Sequence, residues 1–302
     1  MSGYDIKGRT VLITGAARGI GAAAAGRLHA RGANVALVGL EPKRMAENVA
    51  RLGERAAWFE ADVTDFGALQ NAVAGAVERF GGVDVAIANA GIAYTGTLAD
   101  SPIEQVERTL AVNLLGVWRT DRAVLGELKK SGGYLLNIAS LAAVTHSPGM
   151  GPYTAAKAGV EAMTDSLRME MAPSGVGVGC AYFGFIDTDL VRAAFSQPSW
   201  EVVSSKLPKF IREPAPLSKA IDAIERGVER RSARVWAPRW VGPMIALRGL
   251  VQPLSERRAL ADLDGLRAGL EMSAAGNEEM DPVLGVAARV LEQEPVAATP
   301  RD

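Results

Sequence analysis

Residues 10–21, TVLITGAARGIG, run a short apolar segment directly into a glycine-rich turn and on into alanine-rich, helix-forming sequence. No other stretch constrains the fold as much. In such a junction Gly15 permits the tight turn, and Gly19 lets the backbone approach a pyrophosphate. Gly21 lets the helix pack close against the strand. The helix N-terminus then offers free amides and a partial positive charge to the phosphates. A glycine-rich turn alone is weak evidence, but this one follows a strand, opens a helix and lies in the first βαβ unit, the context that phosphate binding requires. The residues read as a dinucleotide-binding turn.

The rest of the chain continues the alternation. Segments 10–14, 35–39, 56–61, 83–89, 133–140 and 176–183 are short, apolar and rich in Val and Ile, and RVWA at 234–237 reads as a last short strand. Several lack strict alternation, as expected of parallel strands covered on both faces. Helical stretches fall at 19–31, 43–52, 65–80, 103–130 and 152–172. The expected architecture is an α/β, Rossmann-like, doubly wound parallel sheet flanked by helices. A helical C-terminal extension, 241–293, follows the domain 1–240, and EPVAATPRD, 294–302, reads as a flexible tail.

Composition narrows the function. Of 302 residues 48% are hydrophobic and 22% charged, so the chain can bury a substantial core. The 33 basic and 34 acidic residues give a formal charge of −1, which argues against nucleic acid or anionic lipid as a general partner. One cysteine, Cys180, forms no internal disulfide, and with two histidines it builds no metal cluster, so no metal is expected. The N-terminus lacks a signal sequence and no stretch is long enough for a transmembrane span, so the chain is expected in the cytoplasm.

A second feature carries the chemistry. In YTAAK, Tyr153 and Lys157 are four residues apart and share one helical face. A free tyrosine titrates near 10, too high for efficient proton transfer at neutral pH. A lysine ammonium one turn away, with any further positive charge brought by a bound ligand, favours the phenolate. Lowering the pKa by about 3 units takes roughly 4 kcal/mol of differential interaction.

TGAARGIG at 14–21, DV at 62–63, NAG at 89–91, Asn113, Ser140 and YTAAK appear in one order, with Ser140 13 residues before Tyr153. In this the sequence resembles the short-chain dehydrogenases/reductases over roughly residues 6–240. The resemblance implies an NAD(P)-dependent oxidoreductase that interconverts a secondary alcohol and a ketone. Tyr153 is then the acid/base, Ser140 binds the substrate oxygen, and Lys157 holds the nicotinamide ribose. Asn113 holds a water that links Lys157 to solvent. Cofactor contacts transfer to Gly15, Arg18, Gly19, Ile20, Gly21, Glu41, Asp62, Val63, Asn89, Ala90, Gly91, Tyr153, Lys157, Gly184, Ile186 and Thr188. Asn89, Ala90 and Gly91 are expected to line the adenine-side ribose and the base of the pocket. A homodimer or homotetramer is expected.

The sequence departs from the family at YFGFIDTD, where Phe183 replaces the usual proline and is expected to add an aromatic face near the nicotinamide. At the end of the second strand Gly39 and Leu40 carry neither the usual acid nor the usual arginine. Glu41 can bond ribose hydroxyls or repel a 2′-phosphate, while Arg18 and Lys43 can attract one. NAD and NADP both stay open, with NAD favoured. Within 189–216, the substrate loop, Leu190, Phe195, Trp200, Val203, Leu207 and Phe210 suggest an apolar wall and a small apolar alcohol or ketone. His146 reads as a surface loop residue and Cys180 as a buried small hydrophobe. Beyond residue 240, Trp240, Met244, Leu247, Val251 and Leu254 form a helical apolar stripe suited to packing on its own domain or another subunit, to covering the cleft or to lying on a membrane surface, with packing favoured. Leu260, Leu263, Leu266 and Leu270 are expected to pack alongside. The alternative function is a non-catalytic dinucleotide-binding sensor or scaffold. A sugar-nucleotide epimerase or dehydratase fits less well, because its tighter glycine spacing and larger C-terminal domain are not evident.

Overall fold

The computed structural model describes residues 4–196 and 209–275. Trp200, Val203 and Leu207 of the substrate loop, the end of the extension (276–293) and the tail (294–302) lie outside these residues.

Seven parallel strands form one sheet in the order β3-β2-β1-β4-β5-β6-β7. They are β1 Thr10–Thr14, β2 Asn34–Gly39, β3 Ala56–Glu60, β4 Val85–Ala88, β5 Tyr134–Ile138, β6 Gly177–Phe183 and β7 Arg234–Ala237. Strand order reverses between β1 and β4, which is where open α/β sheets bind ligands. The helices between them are α1 Gly19–Ala30, α2 Pro42–Leu52, α3 Phe66–Phe80, α4 Ile103–Leu110, α5 Gly116–Ser131, α6 Gly151–Met171, α7 Asp189–Phe195 and α8 Leu217–Arg230.

Each strand sends alternate side chains to opposite layers. Val11, Ile13, Val35, Leu37, Val85 and Ile87 pack with Ala24 and Leu28 of α1 and Ala220 and Ile224 of α8. Leu12, Ala36, Val38, Ala86 and Leu135 pack on the other side with Leu69 and Ala76 of α3 and Val124 and Leu128 of α5. Burial on both faces explains why the strands read as continuous apolar runs. α8 was not singled out in the sequence, although its apolar residues recur at helical spacing.

Two helical expectations change. The 103–130 stretch is interrupted by a π-helical segment, Ala111–Leu115, whose wider turn carries Asn113. The stripe at 240–254 is not one helix. The chain breaks at Leu247 between α9 Val241–Ala246 and α10 Arg248–Leu260, and α11 Leu263–Ala275 follows. The stripe is only partly covered: Trp240, Met244 and Val251 are half-buried, whereas Leu247 and Leu254 are exposed. Of the leucine row expected to pack alongside, Leu260 on α10 and Leu263 on α11 are exposed, whereas Leu266 and Leu270 on α11 are half-buried. No helix among the described residues is long and apolar enough to cross a membrane.

Candidate active site

The glycine turn is held from behind by the end of β4. Thr14 Oγ1 accepts from the backbone amides of Asn89 at 3.0 Å and Ala90 at 3.2 Å. Asn89 Nδ2 donates to the carbonyls of Thr14 at 3.0 Å and Gly15 at 3.2 Å. Asn89 therefore braces the turn, since both donations of its side-chain amide go to the turn's own backbone. Gly15 has φ +64, and a Cβ there would lie 2.8 Å from Ala90 Cα. A Cβ on Gly21 would lie 2.7 Å from Asn89 Nδ2. At Gly19, with φ +56, a Cβ would meet only Thr188, at 3.8 Å from its Cγ2. The space above Gly19 is open. α1 starts after Arg18 with no side-chain cap and no acid in its first turn, so its terminal amides fit the pyrophosphate of a dinucleotide. Ile20 is half-buried against the core below.

Glu41 stands at the end of β2. It is paired with Arg18 at 3.0 Å and with Arg44 at 3.3 Å. Arg44 was missed in the sequence; its signal is the i,i+3 spacing from Glu41 at the start of α2. Lys43 is exposed. Asp62 Oδ1 accepts from the Thr64 amide at 2.8 Å, which closes a turn after β3. Val63 is buried against α5, where a Cβ on Gly116 would lie 2.7 Å from its Cγ2.

The four candidate catalytic residues come from β5, α6 and the π segment. Ser140 follows β5 and caps the turn Leu141–Ala143, accepting from the Ala142 amide at 3.1 Å. Burial raises the Tyr153 phenol above its ordinary 10.0, and Ser140 beside it acts in the opposite direction but less strongly. The lowering expected from Lys157 is absent in the free protein. Lys157 Nζ donates to the Ile138 carbonyl at 2.8 Å and lies 5.8 Å from the Tyr153 ring centroid. Burial pushes Lys157 down to about 8. Asn113 is fully buried; its Oδ1 accepts from the Ile92 amide and its Nδ2 donates to the Ile92 carbonyl, each at 2.8 Å. A Cβ on Gly91 would fall 3.0 Å from Asn113 Oδ1 and 3.8 Å from Lys157 Nζ, so Gly91 keeps the space between them clear.

The loop after β6 departs from expectation. Phe183 is buried in the core layer with Ile186, Ala220 and Val235, so the aromatic ring packs inward instead of facing a nicotinamide. Its position in the sheet decides this, because residue 183 pairs with Ala237 of β7. Gly184 donates to Ala237 at 2.9 Å and runs close under Trp240, where a Cβ would lie 3.1 Å from the indole. Ile186 is buried, and Thr188 caps α7, accepting from the Val191 amide at 3.4 Å. Of the expected apolar wall, Phe195 stacks edge-on with Phe185 at 5.1 Å and Phe210 with Trp240 at 5.8 Å, whereas Leu190 is largely exposed.

Two polar contacts join the extension to this region, and the sequence reading missed both. Arg248 Nη1 donates to both carboxylate oxygens of Glu161 at 2.9 Å. Gln252 accepts from the His146 amide at 2.7 Å. Glu161 follows Lys157 by four residues, a spacing that marked it as a neighbour on α6. Burial pushes the Cys180 thiol up to about 12, in keeping with an inert packing role. Among the described residues no three His, Cys, Asp or Glu side chains could hold a metal ion.

Residues 9–199 match the family model described as short chain dehydrogenase. The chain is 32% identical over 225 residues to 2-(R)-hydroxypropyl-CoM dehydrogenase of Xanthobacter autotrophicus, covering 72% of this chain and 89% of that protein. It is 36% identical over 190 residues to D-beta-hydroxybutyrate dehydrogenase of Rhizobium meliloti, covering 61% and 74%. A solved short chain dehydrogenase/reductase from Burkholderia phymatum, in complex with NAD, superposes with a TM-score of 0.72 at 22% identity, over 82% of this chain and 94% of that one. That last likeness is one of fold. With the glycine turn, the parallel sheet and the Ser140–Tyr153–Lys157 arrangement, these matches establish that the chain belongs to the short-chain dehydrogenase/reductase family, oxidoreductases acting on CH–OH groups.

Proposed function

We propose that this enzyme interconverts a small apolar secondary alcohol and its ketone, with Tyr153 as the acid/base. The observation that carries the reading is a buried Lys157 one helical turn from Tyr153, its Nζ 5.8 Å from the phenol ring centroid, with Ser140 just past the end of β5. When bound, the nicotinamide dinucleotide supplies or accepts the hydride. The chain's own groups handle the proton and the oxygen. In ketone reduction, Tyr153 donates its phenolic proton to the carbonyl oxygen while the Ser140 hydroxyl hydrogen-bonds the same oxygen. In oxidation the phenolate takes the alcohol proton back. Lys157 binds the ribose hydroxyls, and its charge then joins that of the oxidised ring to favour the phenolate.

The cofactor would lie across the C-terminal ends of β1 and β4. Gly15, Gly19 and the first amides of α1 hold the pyrophosphate, and Glu41 holds the adenine ribose hydroxyls. Glu41 favours NAD, because its carboxylate would lie against a 2′-phosphate and it engages Arg18 and Arg44, the cations that would otherwise attract one. Phe185, Phe195, Phe210 and Trp240 present aromatic surface beside the loop that follows β6, which suits an apolar substrate. Leu115 and Trp118, a turn apart on or beside α5 and both exposed, offer apolar surface that a second copy would cover in a homodimer or homotetramer. The same reading places the enzyme in the cytoplasm.

The test is a panel of aliphatic and cyclic secondary alcohols and ketones with NAD(H) and NADP(H), followed by cofactor absorbance. Turnover is expected on apolar members. No change with any member and either cofactor would contradict the proposal.

A further inference from the structure

The family match ends at residue 199, yet α10 reaches back to both segments that carry the candidate catalytic side chains. Arg248 and Gln252 are four residues apart and share a face of α10. Arg248 grips α6 through Glu161, a largely buried carboxylate two turns beyond Tyr153 that also accepts from the Tyr182 hydroxyl at 2.8 Å and pairs with Arg234 at 3.2 Å. Gln252 grips the 141–150 loop. Its Oε1 accepts from the His146 amide at 2.7 Å, its Nε2 lies 3.4 Å from the His146 carbonyl, and the same Nε2 donates to Glu256 at 2.8 Å. Beneath these contacts Val241 of α9 is fully buried in one cluster with Ala139, Ala143 and Val144 of the loop and Val160 of α6, and Trp240 and Ile245 pack against it.

We infer that Arg248 and Gln252 are positioning residues, by which the C-terminal extension holds the Ser140 loop in register with the Tyr153 helix. Either side of His146 the loop is held by the buried Ala143 and Val144 and by the Gly149 carbonyl, which accepts from the Gly96 amide at 2.7 Å. Residues 146–148 are exposed, and the side-chain amide of Gln252 supplies the partner that the His146 amide would otherwise seek in water. Ser140 at one end of this loop and Tyr153 at the other must meet on one substrate oxygen, so a small displacement of the loop separates them. Misplacement on the order of 1 Å can lower a rate about a hundredfold. Loss of the clamp therefore acts on substrate engagement and leaves the dinucleotide cradle, built from β1, α1 and β4, untouched.

The inference rests on the catalytic roles proposed above, and the experiment separates the two. In the full-length chain, Gln252→Ala is measured by amide hydrogen exchange over 141–152, by steady-state kinetics on a ketone, and by NADH titration. The expected result is about tenfold faster exchange in the loop and a roughly tenfold higher KM for ketone, with NADH affinity within about twofold of the parent. Arg248→Met should loosen the loop and α6 together, and Arg248→Lys should restore most of the protection. Glu161 keeps Arg234 and the Tyr182 hydroxyl in these variants, so the fold is retained. Unchanged exchange and unchanged KM in Gln252→Ala would overturn the inference. If the parent protein turned over no ketone, the catalytic proposal would fail, while the exchange measurement would still decide whether α10 clamps the loop.

Discussion

Lys157 donates its ammonium to the Ile138 carbonyl at 2.8 Å, at the end of the strand that precedes Ser140. This bond ties the helix that carries Tyr153 to the sheet and fixes the lysine below the tyrosine. It also places a cation where burial opposes its charge, so that Lys157 titrates near 8 instead of 10.5. Between pH 8 and 10.5 the unfolded chain holds a proton that the folded chain has released, so this group's contribution to stability rises with pH across that window. Below pH 8 the buried charge counts against folding.

Lys157→Met should accordingly separate stability from function. At about 1.4 kcal/mol per pKa unit, removing the charge is expected to stabilise the fold by roughly 1–3 kcal/mol at pH 7, less whatever the orphaned Ile138 carbonyl costs. The gain should shrink as pH passes 8. Cofactor affinity and turnover should both fall. Thermal melts at pH 7 and pH 9.5 check it; a difference between variant and parent that is the same at both pH values would argue against a buried, ionised lysine.

Asp121 makes the opposite prediction. It is buried on α5 and accepts from Asn137 Nδ2 at 2.9 Å, and the second amide proton reaches Thr164 at 3.0 Å. Asp121 Oδ1 and Asn137 Oδ1 both lack a partner, an arrangement that a proton on Asp121 would suit. Burial raises this carboxyl to about 8. From pH 3.8 to 8 the folded state retains a proton that the unfolded chain releases, so stability falls as pH rises through this window. Asp121→Asn keeps the donor geometry without the ionisation. It is expected to flatten the slope and raise stability at pH 7.5, read by urea unfolding at pH 5 and pH 7.5. An equal slope in both proteins would contradict the account.

Glu41 sets the third prediction. Its carboxylate pairs with Arg18 and Arg44, so Glu41→Ala would leave two guanidinium groups unpaired where the proposed adenine ribose would lie. The ratio of NADPH to NADH affinity should rise at least about tenfold, measured by side-by-side fluorescence titration. A ratio that stays fixed would remove Glu41 from the selectivity determinants.

The sheet was legible because its inner strands β1, β2, β4, β5 and β6 are buried on both faces and announce themselves as apolar runs; all seven segments form strands, with ends that shift by two residues at most. Gly15, Gly19 and Gly21 were legible for the same local reason, since close backbone approach demands them wherever the rest of the chain goes. What the sequence hid is tertiary. Asn89 looked like a pocket residue, but its role depends on β4 ending beside β1. Phe183 looked like pocket lining, but its side was set by pairing with β7. The bonds Arg248–Glu161 and Gln252–His146 join residues 87 and 106 positions apart, beyond any local periodicity. The break at Leu247 could not be read from an apolar stripe that continues through it.

The central claim is that Tyr153 moves the proton. Tyr153→Phe deletes one hydroxyl and little else, so it tests this directly. Steady-state turnover with the best secondary alcohol or ketone, measured beside NADH affinity, should show turnover lower by at least about a thousandfold and affinity within about threefold of the parent. Turnover at the parent's rate would contradict the account.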